Sequence, residues 1–154
     1  MDGAKIVRPD WDEYYSDIAQ VISRRSNCIK RQIGSLITVD NRIVATGYNG
    51  TPRGVRNCFD GGCPRCADSS IPSGTRLDEC WCNHAEENAI VQSAYNGIAI
   101  KGGTLYTTLS PCLNCAKLII NAGIDCVVYC ADYPQNSMDL FTASGRVTLR
   151  RHRA

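Results

Sequence analysis

Stretches of strand and helix character alternate along this 154-residue chain, and that alternation predicts an α/β layer fold. Two further observations agree. A hydrophobic fraction of 44% and a charged fraction of 21% are those of a globular protein. The length suits one ordinary domain with a sizeable core, taken as residues 1–154. Disordered and fibrous classes are excluded by the same figures.

Each element has its own signal. Residues 10–25 carry Trp11, Tyr14, Tyr15, Ile18, Ala19, Val21 and Ile22 close to helical spacing, which predicts an amphipathic helix. Arg24, Arg25, Lys30 and Arg31 gather at its end, where cations suit a helix C-terminus or can meet a phosphate. Two β-rich runs, 33–39 and 42–46, flank Asp40-Asn41, a two-residue turn of the kind that closes a hairpin. The following Gly47-Tyr48-Asn49-Gly50-Thr51-Pro52 reads as a turn. From His84 to about Asn96 the pattern is helical and Gly97 stops it. Residues 104–109 read as a strand. Ser110-Pro111 then reads as an N-cap with proline in the first helical position, opening a helix that ends at Gly123. A short buried strand is expected at 126–130 and a last one at 146–150. The basic ending 146–153 otherwise reads as a solvated tail, on which His152 is no ligand.

Residues 51–83 differ from the rest. Gly, Pro and Ser are frequent there, apolar periodicity is absent, and five of the ten cysteines fall within it. A long irregular segment inside a domain is usually functional or tied down, and metal would tie this cysteine-rich insert. The first residues show no signal-peptide core, and no apolar run approaches the roughly 18 to 20 residues of a membrane span, so a cytoplasmic protein with no membrane partner is expected. In that reducing compartment, abundant cysteine points to metal binding or catalysis before disulfides. The net charge of +2 is too small for a bulk nucleic-acid binder, although a small anionic ligand remains compatible.

The chemistry concentrates in His84-Ala85-Glu86 and Pro111-Cys112-Leu113-Asn114-Cys115. Cysteines at i and i+3 in the first turn of a helix project from one face. With His84 they make a three-donor zinc site whose fourth position stays open to water, the pattern of a catalytic zinc. Zinc brings the pKa of such a water to about 7. Glu86 lies beside the metal without being needed as a ligand, free to move a proton from water to a substrate nitrogen. H-x-E followed by P-C-x-x-C is the signature of zinc nucleobase deaminases.

Tyr48-Asn49-Gly50, His84-Ala85-Glu86-Glu87-Asn88-Ala89-Ile90 and Thr108-Leu109-Ser110-Pro111-Cys112-Leu113-Asn114-Cys115-Ala116-Lys117 resemble the deoxycytidylate (dCMP) deaminases of the cytidine and deoxycytidylate deaminase family. The likeness runs from about Trp11 to Tyr133. It implies a cytidine-deaminase-like three-layer α-β-α fold with a central mixed five-stranded sheet, and hydrolytic deamination of dCMP to dUMP and ammonia for thymidylate supply. It implies a homo-oligomer, often a hexamer, with dCTP and Mg2+ as activator and dTTP as inhibitor in many members. Carried across, His84, Cys112 and Cys115 match the zinc ligands and Glu86 the proton shuttle. Asn49 resembles a substrate-side asparagine that hydrogen-bonds sugar or base; Ser110 offers a base contact or caps its helix, and Tyr133 packs on the nucleotide or on the core. Arg25, Lys30 and Arg31 are the candidates for the phosphate. Some phage and microbial relatives carry a second zinc, for which Cys28, Cys58, Cys63 and Cys80 are the matching positions and Cys66 and Cys82 the alternates. Cys126 and Cys130 read as small buried hydrophobes. Glu87, where many relatives carry an apolar residue, adds a charge bearing on nucleotide choice.

Rival readings are a deaminase of another cytosine nucleotide (dCTP, CMP or a 5-modified dCMP), a tRNA adenosine deaminase with the same metal chemistry, and, from another class, a silent zinc module that only binds nucleotides. The intact Glu86 speaks against the last.

Overall fold

Asp40 and Asn41 both take positive φ, 52° and 56°, and close a tight hairpin between β1 (Gly34–Val39) and β2 (Arg42–Tyr48). The computed structural model describes residues 3–133 and 137–152. In chain order the elements are α1 (Trp11–Ser23), β1, β2, α2 (Pro64–Ala67), α3 (Ala85–Tyr95), β3 (Thr104–Leu109), α4 (Leu113–Asn121), β4 (Cys126–Ala131), α5 (Met138–Ser144) and β5 (Thr148–Arg151). Short 3-10 turns lie at Cys58–Asp60 and Leu77–Glu79.

The strands form one mixed five-stranded sheet in the order β2-β1-β3-β4-β5. β1 runs antiparallel to both β2 and β3, whereas β3, β4 and β5 are parallel. Neighbouring residues of the central strands point to opposite faces, and both faces are buried. Leu36, Tyr106 and Val128 meet Tyr15 and Ala19 of α1 on one side. Ile37, Leu105 and Val127 meet Ala89, Ala116, Ile119 and Phe141 from α3, α4 and α5 on the other. The expected α-β-α layering is therefore the observed one. Cys126 packs with the α1 layer as a buried apolar side chain, and Cys130 is half-buried. Among the described residues no helix is long and apolar enough to cross a membrane.

The structure corrects four local expectations. β2 continues through Gly47 and Tyr48, which are strand and not turn, because α3 packs directly on Gly47. A Cβ at that position would lie 2.1 Å from the Ala85 carbonyl oxygen and 2.5 Å from the Ala89 nitrogen. α4 begins later than the proline suggested: Cys112 is its N-cap, and Ser110 spends its side chain on Tyr133, accepting from that backbone N–H at 2.6 Å. α5 was not anticipated, since seven residues around the buried Phe141 are too few to show periodicity. Lastly, the basic ending is not a solvated tail: the last strand expected at 146–150 is present as β5 at the sheet edge, over Thr148–Arg151. β5 pairs with β4, Arg150 holds Asp12 of α1 through two 3.0 Å bonds, and Arg151 pairs with Asp132. Arg153 lies outside the described residues.

The insert leaves and returns at one point. Gly50 and Asn83 exchange two backbone hydrogen bonds, 3.1 and 2.8 Å, so the ends of the cysteine-rich loop are pinned side by side next to α3.

Candidate metal centre and active site

Two helix N-termini converge beyond the carboxyl end of β3, where crevices of open α/β sheets lie. His84 is the N-cap of α3, and its backbone N–H donates to the Glu87 carboxylate at 3.1 Å. This gives Glu87 a capping role that holds the histidine. Cys112 is the N-cap of α4 and Cys115 follows three residues later, so the sulfurs share a face. His84 Nδ1 lies 3.3 Å from Cys112 Sγ and 3.4 Å from Cys115 Sγ. A tetrahedral zinc with bonds of ~2.3 Å to sulfur and ~2.05 Å to nitrogen sets such atoms about 3.6 Å apart, so the spacing suits that ion.

The donors' own electrostatics agree. The Cys112 thiol is brought down to about 4, chiefly by the hydrogen bond with Cys115, with His84 helping against the cost of burial. Burial works against a charged His84 ring, yet the hydrogen bond to Cys112 and the charges of Cys112, Glu86 and Glu87 outweigh it and lift its pKa to about 9. The contact with Cys112, together with burial, pushes Cys115 up. Left to themselves the donors settle as a thiolate, a thiol and an imidazolium. Two thiolates and a neutral imidazole, the zinc-binding forms, are what a divalent cation at this point would favour.

Glu86, 3% exposed, sits on the first turn of α3 facing Cys115, whose sulfur is 3.6 Å from Oε2. Burial raises the pKa of its carboxyl, with the charge of His84 opposing. Oε1 is 3.0 Å from the Thr107 hydroxyl, which also lies 3.1 Å from the Leu109 carbonyl. A carboxyl displaced toward neutral pH beside a metal site is what proton transfer needs.

A cavity beside these residues is lined by Lys30, Arg31, Asn49, Ser110 and Tyr133 and by Arg65, Ser73 and Gly74 of the insert. Arg31 stacks over the Tyr133 ring at 5.0 Å and its Nε donates to Ser73 Oγ at 2.7 Å. Lys30 Nζ donates to the Ile71 carbonyl at 2.8 Å. Arg25 is exposed and does not line this cavity. The Asn49 side chain is largely committed to the scaffold: Oδ1 accepts from Ile33 N and Ser26 Oγ, and Nδ2 donates to the Arg31 carbonyl. One amide proton stays available.

Residues 9–131 match the family described as the cytidine and deoxycytidylate deaminase zinc-binding region. The chain belongs to this deaminase family.

Its relatives are similar over most of its length. The deoxycytidylate deaminase of Schizosaccharomyces pombe is 46% identical over 137 residues, covering 89% of this chain and 41% of that protein. That of Saccharomyces cerevisiae is 45% identical over 130 residues, 84% and 40% respectively. The chain thus spans about two-fifths of the length of these yeast relatives. The deoxycytidylate deaminase of Mycobacterium phage D29 is 38% identical, with 79% of this chain and 95% of the phage protein covered. The crystal structure of the cyanophage S-TIM5 dCMP deaminase in complex with dCMP and dUMP superposes with a TM-score of 0.79 at 30% identity, over 96% of this chain and 100% of that one.

The cysteine-rich insert and Cys28, which follows α1, form a second group of contacts. Cys28, Cys58, Cys63, Cys66, Cys80 and Cys82 cluster together. Their sulfurs fall into two sets of four, Cys28-Cys58-Cys66-Cys82 and Cys63-Cys66-Cys80-Cys82, with all atoms of a set within 4.8 Å. The quartet expected from the sequence, Cys28, Cys58, Cys63 and Cys80, is divided between them, and the two alternates belong to both. Local geometry is the reason. Cys63 and Cys66 stand three apart around the single turn of α2, and Cys80 and Cys82 alternate along extended chain, so each pair turns to one side.

Thr107 and Arg65 are site residues that sequence reasoning missed. A threonine in a strand looks like an ordinary β-former. Arg65 was one cation among many, and nothing in its neighbourhood announced that it would be 5% exposed.

Proposed function

We propose that this chain deaminates dCMP hydrolytically, giving dUMP and ammonia. The carrying observation is the convergence of His84 Nδ1, Cys112 Sγ, Cys115 Sγ and the buried Glu86 carboxyl beside a cavity that His84, Glu86 and Cys112 line together with Lys30 and Arg31. The family, the relatives of phage and yeast, and the cyanophage enzyme with dCMP and dUMP support the substrate. His84, Cys112 and Cys115 would hold zinc, which when bound polarises a water and lowers its pKa toward neutrality.

The protein's own groups do the rest. Glu86 takes one proton from the attacking water and gives it to the ring nitrogen beside the amino group, where it stays. It then carries the second proton from the new hydroxyl on the carbon to the amine, which leaves as ammonia when the carbonyl forms. Thr107 orients the carboxylate. Tyr133, with Arg31 stacked on it, offers an apolar wall to the ring, while Ser110 and the remaining Asn49 amide proton are polar contacts for base or sugar. Lys30 and Arg31 each keep donors beyond those used by Ile71 and Ser73, and two cations balance a nucleotide 5′-phosphate. Arg25 stands outside this arrangement.

The wider expectations belong to the same proposal and rest on the family likeness: a homo-oligomer with a hexamer favoured, activation by dCTP with Mg2+, inhibition by dTTP, and work in the cytoplasm, where thiols stay reduced. The deciding experiment offers dCMP, CMP, deoxycytidine, dCTP and 5-methyl-dCMP to the zinc-loaded protein and measures ammonia. dCMP should be turned over with the highest kcat/KM. No release from any cytosine nucleotide would sink the proposal, and a preference for another member of the panel would reassign the substrate. Light scattering gives the assembly, and rates with dCTP-Mg2+ or dTTP test the regulation.

A further inference from the structure

We infer that Cys28 and the five cysteines of the insert hold two zinc ions as a single sulfur-bridged pair. Cys66 and Cys82 are shared, Cys28 and Cys58 complete one tetrahedron, and Cys63 and Cys80 complete the other. The site is separate from the His84 centre and does not depend on the nucleotide reading.

The number of donors carries the inference first. Two tetrahedra that share an edge have six corners, and six sulfurs are present in two overlapping sets whose common members are Cys66 and Cys82. No sulfur of the cluster is left over. A lone ion in either set would strand two further cysteines beside it: Cys63 and Cys80 in one case, Cys28 and Cys58 in the other. Of those four, Cys28, Cys58 and Cys63 are buried.

Distances agree with metal-templated spacing. Bonds of ~2.3 Å from zinc to sulfur make the tetrahedral edge about 3.8 Å. Cys66 Sγ and Cys63 Sγ lie 3.7 and 3.9 Å from Cys80 Sγ. All six residues are free cysteines. A donor set of sulfur alone in this geometry selects zinc or an iron–sulfur centre.

The surroundings are those of an anionic cluster. Six thiolates carry two more charges than two zinc ions neutralise. Arg65 is buried, and its guanidinium makes its hydrogen bonds to the Thr75 and Pro72 carbonyls and to Cys66 Sγ at 3.6 Å. A buried guanidinium calls for a compensating anion, and this one contacts a bridging sulfur. At the outer corner the Trp81 N–H donates to Cys63 Sγ at 3.3 Å, supporting charge on a sulfur that the Cys28 set excludes. The same Arg65 grips 72–75, so the metal pair also fixes Ser73 and Gly74 in the cavity wall.

Metal counting on the full-length protein tests this. Purified without chelator, the wild-type chain should contain three zinc ions by mass spectrometry of the metal. The Cys112→Ala/Cys115→Ala variant, stripped of two donors of the active centre, should keep two. One zinc in that variant overturns the pair, and iron with acid-labile sulfide overturns the metal. Wild-type protein exchanged with 113Cd needs no variant. It should give two tetrathiolate resonances that split one another through the shared sulfurs, whereas a single such resonance, or two without coupling, refutes the bridge. None of these readings involves turnover, so failure of dCMP deamination would leave them standing.

Discussion

Gly47→Ala places one methyl group where two backbones already touch. The new Cβ would lie 2.1 Å from the Ala85 oxygen and 2.5 Å from the Ala89 nitrogen, and neither atom belongs to a flexible side chain. Reaching an ordinary contact of 3.4 Å requires α3 to retreat from β2 by about 1.3 Å at its first turn. Overpacking of this kind costs about 1–3 kcal/mol. For a chain of this size that corresponds to a fall in Tm of about 2–12 °C. The larger consequence is chemical, because His84 and Glu86 ride on the same turn. Metal sites tolerate about 0.2 Å in ligand distance, so a shift several times that size should weaken zinc binding and deamination far more than it weakens the fold. Calorimetry, zinc affinity by competition with a chromophoric chelator, and ammonia release from dCMP measure the three effects on one sample. Unchanged zinc affinity and unchanged kcat, whatever happens to Tm, would refute the claim that this glycine sets the height of His84 over Cys112 and Cys115.

Other substitutions separate the roles. Glu86→Gln should lower kcat by about 10²–10⁴-fold with zinc content intact; a smaller loss removes Glu86 from proton transfer. Thr107→Val deletes a hydrogen bond that favours the charged carboxylate, so the Glu86 pKa rises further. The acid limb of kcat/KM should then move to higher pH, with a loss of about two- to tenfold at neutral pH, and an unmoved limb contradicts the assignment. Arg31→Ala should raise KM for dCMP about ten- to hundredfold yet leave deoxycytidine nearly unaffected, and equal effects on both would place Arg31 away from the phosphate. Removal of all zinc by a strong chelator at neutral pH should abolish activity and loosen 58–82 to proteolysis; an intact insert after complete removal would mean the metal does not hold it.

Much of this arrangement is legible in the order of the residues. The turn at Asp40-Asn41, the strand at Thr104–Leu109 and the His84, Glu86, Cys112 and Cys115 constellation all depend on short-range chemistry that residue order displays. What stayed hidden depends on distant packing. Gly47 read as a turn because the backbone of α3 that demands a missing side chain comes 38 residues later. Ser110 read as a cap because its partner, the Tyr133 amide, lies beyond the next strand. Cysteine spacing announced a metal-tied loop, but the choice of shared sulfurs is made by how α2 and the Cys80-Trp81-Cys82 segment face one another. The phosphate candidates divided for a similar reason: Lys30 and Arg31 turn inward against the insert, and Arg25 remains on the surface.

The Thr107 hydroxyl has one hydrogen and two acceptors within reach, Glu86 Oε1 at 3.0 Å and the Leu109 carbonyl at 3.1 Å. While Glu86 is charged, that hydrogen points to the carboxylate. Once Glu86 carries a proton, its own O–H can point to the threonine oxygen as the hydroxyl swings to Leu109, and no buried donor is orphaned in either state. A rotation about one C–O bond thus stands in for the reorientation of solvent that a carboxyl in water relies on at each change of charge. The side chain is a one-atom solvent shell, built into the middle of a strand.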